Sequence, residues 1–219
     1  NNDQYTIIGN QEDQGACGCI TGTEIVEICA LKSGLPTKKL SWGQLYWSLN
    51  GGSDNGTYSG HVLKHLTTKG AASVDVIPIN VKNPSQRWPQ NVLDDALNYC
   101  IDEWFLCPTV GHIISALMQG FVVHSSMWWF ERDNVDSNGW LSDNPRGKKG
   151  GHSIRQNEFI IENGRQGFRF PNTWTTRWGV NGFGKISVAR MAETLKVWPF
   201  FAARSVRQRH GNFPAPILP

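Results

Sequence analysis

The run Asn10-Gln11-Glu12-Asp13-Gln14-Gly15-Ala16-Cys17-Gly18 leads directly into an apolar segment beginning at Ile20. A thiol is a useful nucleophile only as thiolate, and the first turn of a helix favours that anion through its unpaired N–H groups and macrodipole. A cysteine at the head of a helix therefore predicts a lowered thiol pKa and nucleophilic chemistry. Cys17 fits that place, with Gly15 and Ala16 leaving the sulfur open to approach. Cys19, two positions further on, is the alternative.

Nucleophilic chemistry needs a base. His152, in Gly150-Gly151-His152-Ser153-Ile154, is the candidate. His112 and His124 are its rivals, both beside apolar segments, where a histidine more often serves as a hydrogen-bonded structural residue. His61 and His65 stand at i, i+4 on an expected helix, the spacing of a metal site, with Cys17 and Cys19 as possible further ligands. No carboxylate or third cysteine stands at an accepted ligand spacing, so neither a metal nor a cofactor is expected.

Several elements must hold these residues. Ile25, Val26, Ile28, Cys29, Ala30 and Leu31 cover most of a helical circumference over Ile20–Lys32, as in a helix buried on nearly all sides, with Gly34 and Pro36 ending it. Ser41-Trp42-Gly43-Gln44 reads as a capping box, flanked by a Leu40/Leu45 hydrophobic staple. Asn50 to Gly56 is a loop, and Thr57–Lys69 a third helix with Val62, Leu63 and Leu66 inward. Val74–Ile79 is extended, limited to an edge or turn by Pro78. Asn91–Phe105 carries Val92, Leu93, Ala96, Leu97, Cys100, Ile101 and Trp104 at helical spacing. Past Pro108 a short helix over Val110–Gln119 precedes apolar and aromatic runs separated by Gly, Asn, Asp and Pro, which is β-rich territory. From Met191 the chain reads as a tail that packs on the surface or links onward. The pattern alone gives an α+β fold.

Two motifs extend this reading. Gln11-x-x-x-Gly15-Ala16-Cys17 resembles the active-site segment of papain-like cysteine proteases. Asn172-Thr173-Trp174-Thr175-Thr176-Arg177-Trp178-Gly179-Val180-Asn181-Gly182-Phe183 resembles the same family's Asn-Ser-Trp-Gly-x-x-Trp-Gly-x-x-Gly-[Tyr/Phe] segment. His152 follows Cys17 by 135 residues and precedes Asn172 by 20, in the family's order. The resemblance spans about Thr6 to Val188 and implies a two-lobed fold, with a helical N-terminal lobe, a β-barrel-like C-terminal lobe and the site in the cleft between them. The lobes would cover residues 1–107 and 108–190, with 191–219 an extension.

By the same resemblance, Cys17 is the nucleophile of a cysteine endopeptidase working through a thioacyl intermediate, and His152 is its base. Asn172 orients the imidazole and Trp174 shields that contact. Gln11 and the Cys17 amide hold the oxyanion, while Gly51 and Gly52 pair with an extended peptide substrate. The chain departs from the family at Gln14, where an earlier cysteine is usual, at Gly18, usually aromatic, and in the polar run Ser153–Glu158, usually apolar. Two alternatives accompany this reading: a papain-fold binding or structural component of a larger assembly, joined through the C-terminal extension, and a cell-wall peptide hydrolase with the same triad.

Composition narrows the remainder. A net charge of +3 over 219 residues, with two small basic clusters at 146–149 and 204–210, is too mild to argue for nucleic acid. Mean hydropathy is −0.37, and no apolar run of about 18 residues is present, so no membrane partner is expected. The five cysteines lack the spacing of a disulfide framework, which favours a reducing or disulfide-independent setting: intracellular, bacterial or phage-derived. No signal-peptide pattern opens the chain, and a start at Asn1 suggests a processed or trimmed product.

Overall fold

The computed structural model describes residues 8–207. Helix α1 (Cys17–Lys32) is buried on nearly every side, with Cys19, Ile20, Ile25, Val26, Ile28 and Cys29 all in the core. It begins at Cys17 itself, so the candidate nucleophile heads the helix.

Helix α2 (Trp42–Leu49) starts as its sequence predicts, with the Ser41 hydroxyl accepting from the Gln44 backbone N–H at 3.1 Å. The capping box is half formed. The Gln44 side chain turns away from Ser41, donating to Ser48 and accepting from the Ala72 N–H, while the Ser41 N–H donates to the Ala72 carbonyl. Helix α3 (Ser59–Thr68) buries Val62, Leu63 and Leu66. Residues 74–79 form turns rather than a strand, joined to the preceding loop by a single Leu40–Ser73 bridge.

The expected helix over 91–105 is corrected. Helix α4 (Gln90–Ala96) covers only its beginning, and Cys100–Cys107 is a strand, β1. Ala96, Leu97, Cys100, Ile101 and Trp104 do recur at helical spacing, but pairing along the whole of β1 with a distant strand supplies a ladder that local periodicity does not register.

Helix α5 (Val110–Met118) follows, capped by the Thr109 hydroxyl, and then β2 (Val122–Phe130), β3 (Lys149–Gln156), β4 (Glu158–Glu162), β5 (Arg165–Pro171), β6 (Phe183–Ser187), α6 (Val188–Leu195) and β7 (Phe200–Arg207). The strands make two antiparallel sheets, ordered β1-β7-β2-β3 and β4-β5-β6. The fold is α+β, with open sheets and no closed barrel among the described residues.

Reading the chain from 191 onward as a peripheral tail is likewise corrected as far as Arg207. Strand β7 lies between β1 and β2. Its alternate residues serve two cores: Phe201 and Ala203 pack with α1, α2 and α3, and Phe200 and Ala202 pack with Met127, Ile154, Phe168 and Phe170. A strand with period-two side chains is suited to this shared wall. Residues 208–219, which hold Arg209 and His210 of the second basic cluster, lie outside the described residues. No described helix is long and apolar enough to cross a membrane.

Candidate active site

Cys17 is half-buried and lines a cleft of about 760 Å³ together with Gln11, His152 and Trp174. Segments distant in sequence thus converge. The helix supplies Cys17, strand β3 supplies His152, and the segments around Gln11 and Trp174 are tied to each other. The Gln11 N–H donates to the Thr173 carbonyl at 3.0 Å, Thr175 N–H donates to Gly9, and Asn10 bridges Trp174.

Asn172 stands behind the imidazole. Its Oδ1 lies 2.7 Å from His152 Nε2 and also accepts from the Thr173 N–H at 2.8 Å. The backbone donor identifies this amide atom as the oxygen, so Nε2 is the protonated nitrogen of a neutral His152. The Nδ1 lone pair is then the basic site. Trp174 stacks on the ring, with centroids 4.8 Å apart and planes at 26°, and Trp129 meets the ring edge-on at 5.1 Å. These indoles leave His152 only 5% exposed.

Gln11 is held in one orientation. Its Oε1 accepts from the Thr173 hydroxyl at 2.6 Å and from Trp174 Nε1 at 3.0 Å, and its Nε2 donates to the Gln14 carbonyl at 3.1 Å. That bond uses one of the two amide hydrogens and leaves the other. The Cys17 N–H, at the first helical position, has no intrahelical acceptor.

The electrostatics differ from the expectation of an activated thiol. Burial pushes the Cys17 thiol above its ordinary value, opposed by hydrogen bonds from the Ser153 and Gly18 N–H groups and the Ser153 hydroxyl. Burial also pushes His152 down to about 4, against the raising effect of its Asn172 bond. Each group taken alone is therefore neutral near pH 7, because desolvation exceeds what the helix end returns.

Gly51 and Gly52 do not line the cleft; with φ of +71° and +81° they turn the chain after α2, and a Cβ on Gly52 would sit 2.8 Å from the Pro84 carbonyl. The cleft wall is instead the next loop, Asp54-Asn55-Gly56-Thr57-Tyr58. Asp54 fixes it, accepting from the Gly15 N–H at 2.7 Å and from the Tyr46 hydroxyl.

The three departures from the family pattern all find physical reasons. Gln14 is buried, accepting from Trp47 Nε1 at 2.8 Å and donating to the Asn80 carbonyl at 3.3 Å, so an amide makes the tie between loops. A Cβ on Gly18 would lie 2.9 Å from Thr57 Oγ1, so Thr57 occupies the space a larger residue would need. In the polar run after His152, Arg155 pairs with Glu24 at 2.8 Å and Gln156 donates to Ser125 at 3.0 Å.

The rival histidines lie elsewhere. His112 Nδ1 contacts Thr109 at the head of α5, and His124 is fully buried with Nε2 3.1 Å from the Gly18 carbonyl. His61 packs edge-on to Tyr58, and burial pushes His65 down to about 4. Among the described residues no three metal-ligating side chains are grouped. Cys19, the alternative nucleophile, is wholly buried with its sulfur 3.7 Å from Thr57 Oγ1, and all five cysteines are free thiols. Sequence reasoning missed Ser153 and Trp129. Period-two alternation along β2 and β3 was the available signal.

No protein-family model matches the chain, and no curated protein matches it either. Solved structures do. The chain is similar to xylellain, a cysteine protease from Xylella fastidiosa, at TM-score 0.76 and 16% identity, covering 93% of this chain and 85% of that one. It is similar to the cysteine protease and lectin-like domains of Cwp84, a surface layer associated protein of Clostridium difficile, at TM-score 0.76 and 19% identity, covering 94% of this chain and 50% of that one. Against the bromelain protease of Ananas comosus the TM-score is 0.66 at 16% identity, covering 91% and 94%. The chain has the fold of the papain-like cysteine proteases, and its five cysteines form no disulfide.

Proposed function

We propose that the chain is a cysteine peptidase that hydrolyses peptide bonds through a thioacyl-enzyme on Cys17. The observation that carries this reading is the 2.7 Å contact between Asn172 Oδ1 and His152 Nε2, which leaves the Nδ1 lone pair to serve a cleft shared with Cys17.

The proton of the Cys17 thiol passes to His152 Nδ1, and the sulfur attacks the peptide carbonyl. The free N–H of Gln11 and the Cys17 N–H donate to the oxyanion that forms. Collapse of the tetrahedral species breaks the C–N bond, with the imidazolium proton going to the leaving amine. A water molecule, deprotonated by the same Nδ1, then attacks the thioester; the carboxylic acid leaves and the proton returns to sulfur. Proton transfer from sulfur to imidazole does not change the net charge of the pair. The two groups therefore titrate together, and a pair that is neutral at rest does not preclude attack.

A second reading, a binding or structural component on this fold, draws on the pKa shifts, both of which favour the neutral forms. Iodoacetamide labelling with peptide mapping, paired with cleavage of a fluorogenic peptide library, separates the two. The peptidase reading expects Cys17 to be alkylated roughly tenfold or more faster than the other four cysteines near neutral pH, and cleavage to vanish in Cys17→Ala. Even labelling of all five thiols with no turnover overturns it.

A further inference from the structure

Hydroxyl groups gather beside the candidate nucleophile. Ser126 on β2 and Ser153 on β3 are directly opposed in the ladder, with their oxygens 3.1 Å apart, and Ser126 also bonds Ser59 at the start of α3. Ser126 and Ser153 face the cleft, and Thr57 joins them from the 54–58 loop. Gly18 is what admits Thr57: a Cβ there would lie 2.9 Å from Thr57 Oγ1 and 3.6 Å from Ser153 Oγ. The floor next to Cys17 is thus made of three hydroxyls, with Tyr58 and Trp128 among the cleft residues above it.

The hydrogen-bond capacity of this floor is only partly used. Ser59, Ser126 and Ser153 carry three hydroxyl protons, and the two bonds among them consume two. The third goes to the Cys17 sulfur from Ser153, so the floor offers a ligand acceptor lone pairs. The charges lining the cleft are of both signs, Asp54 and Glu131 against Lys148 and Lys149, and do not select a charged group. An aliphatic side chain lowered onto this floor would strip water from the hydroxyls and return no hydrogen bond, whereas a hydroxyl or carboxamide would replace that water.

We infer that the Thr57–Ser126–Ser153 floor is a specificity pocket for an uncharged, hydrogen-bonding side chain of a peptide substrate, Ser, Thr, Asn or Gln, in preference to aliphatic side chains of the same shape. The inference rests on the peptidase reading for its ligand being a peptide.

The test uses Cys17→Ala protein and acetylated hexapeptide amides in which Thr is exchanged for Val, or Asn for Leu, at one position at a time. Binding is read by titration calorimetry. At one position Thr and Asn are expected to bind roughly tenfold tighter than Val and Leu. Ser126→Val in the same background abolishes or reverses that preference, and the smaller change Ser126→Ala weakens it in a protein whose fold is less disturbed. Equal or tighter binding of Val and Leu at every position overturns the inference, as does a preference unchanged in both Ser126 variants, or no binding of any peptide. Cleavage of the same peptides by the unsubstituted protein is scored separately. Binding preference without cleavage removes the peptidase reading and leaves the pocket standing; cleavage with an aliphatic preference does the reverse.

Discussion

Glu24 and Arg155 form a 2.8 Å ion pair between α1 and β3, with side chains only 5% and 1% exposed. Cys17, Thr21 and Glu24 share one face of the helix at i, i+4 and i+7. Along that face the Thr21 hydroxyl donates to the Ser153 carbonyl at 3.4 Å and Glu24 meets Arg155. The helix carrying the sulfur is thereby fastened to the strand carrying the imidazole.

Breaking one side of this pair leaves a buried charge uncompensated. Glu24→Gln or Arg155→Met is expected to cost roughly 3–5 kcal/mol. The double variant Glu24→Leu/Arg155→Leu should recover most of that loss, because no charge is left buried. Urea unfolding midpoints at constant m-value check this, and simple additivity of the two single losses would contradict it.

Gln11→Ala removes one oxyanion donor. Turnover of a fluorogenic peptide is expected to fall by about 10²–10³ in kcat with KM little changed. An equal loss expressed wholly in KM would assign Gln11 to ground-state binding instead.

Asn172→Ala removes the bond that raises the His152 pKa, making the imidazolium harder to form. The rate of Cys17 alkylation by iodoacetamide at pH 7 is expected to fall roughly tenfold. An unchanged rate–pH profile would show that the asparagine has no part in activating the sulfur.

Gly18 and Thr57 are sterically coupled. Gly18→Ala alone is expected to lose roughly 1–2 kcal/mol through overpacking, and adding Thr57→Gly should return most of it. A double-mutant cycle by thermal melting reads the coupling, and an interaction energy of zero would mean that Thr57 rotates away freely.

His124 and His152 are buried, and burial depresses both to about 4 from an ordinary value of 6.5. The unfolded chain therefore takes up these protons at higher pH than the folded protein does. Stability is fully present above pH 6.5 and declines as pH falls from 6.5 toward 4, by on the order of 1 kcal/mol per pH unit for each histidine. Calorimetric Tm values across that window check the slope, which His124→Asn should reduce.

Much of the site was readable because its parts are local patterns. The Cys17 helix start, the Ser41 cap and the Asn172–Phe183 motif are short-range signals whose geometry follows from adjacent residues. What escaped depends on partners far along the chain. The Cys100–Cys107 segment has helical spacing but pairs with residues 200–207. The polar run after His152 has no local rationale, because the carboxylate that answers Arg155 stands 131 positions earlier.

The placement of β7 bears on the order in which the molecule can fold. Strand β1 and the inner face of α1 both pack on residues 200–207, which leave the ribosome after every other described element. Until that segment arrives, β1 has no partner on its β7 side and the nucleophile helix lacks part of its cover, so the first hundred residues cannot complete their own core during synthesis. The core behind the Cys17 helix is therefore completed only when β7, the last described strand, is inserted, and a chain ending before Phe200 would expose apolar surface and an unpaired strand edge together.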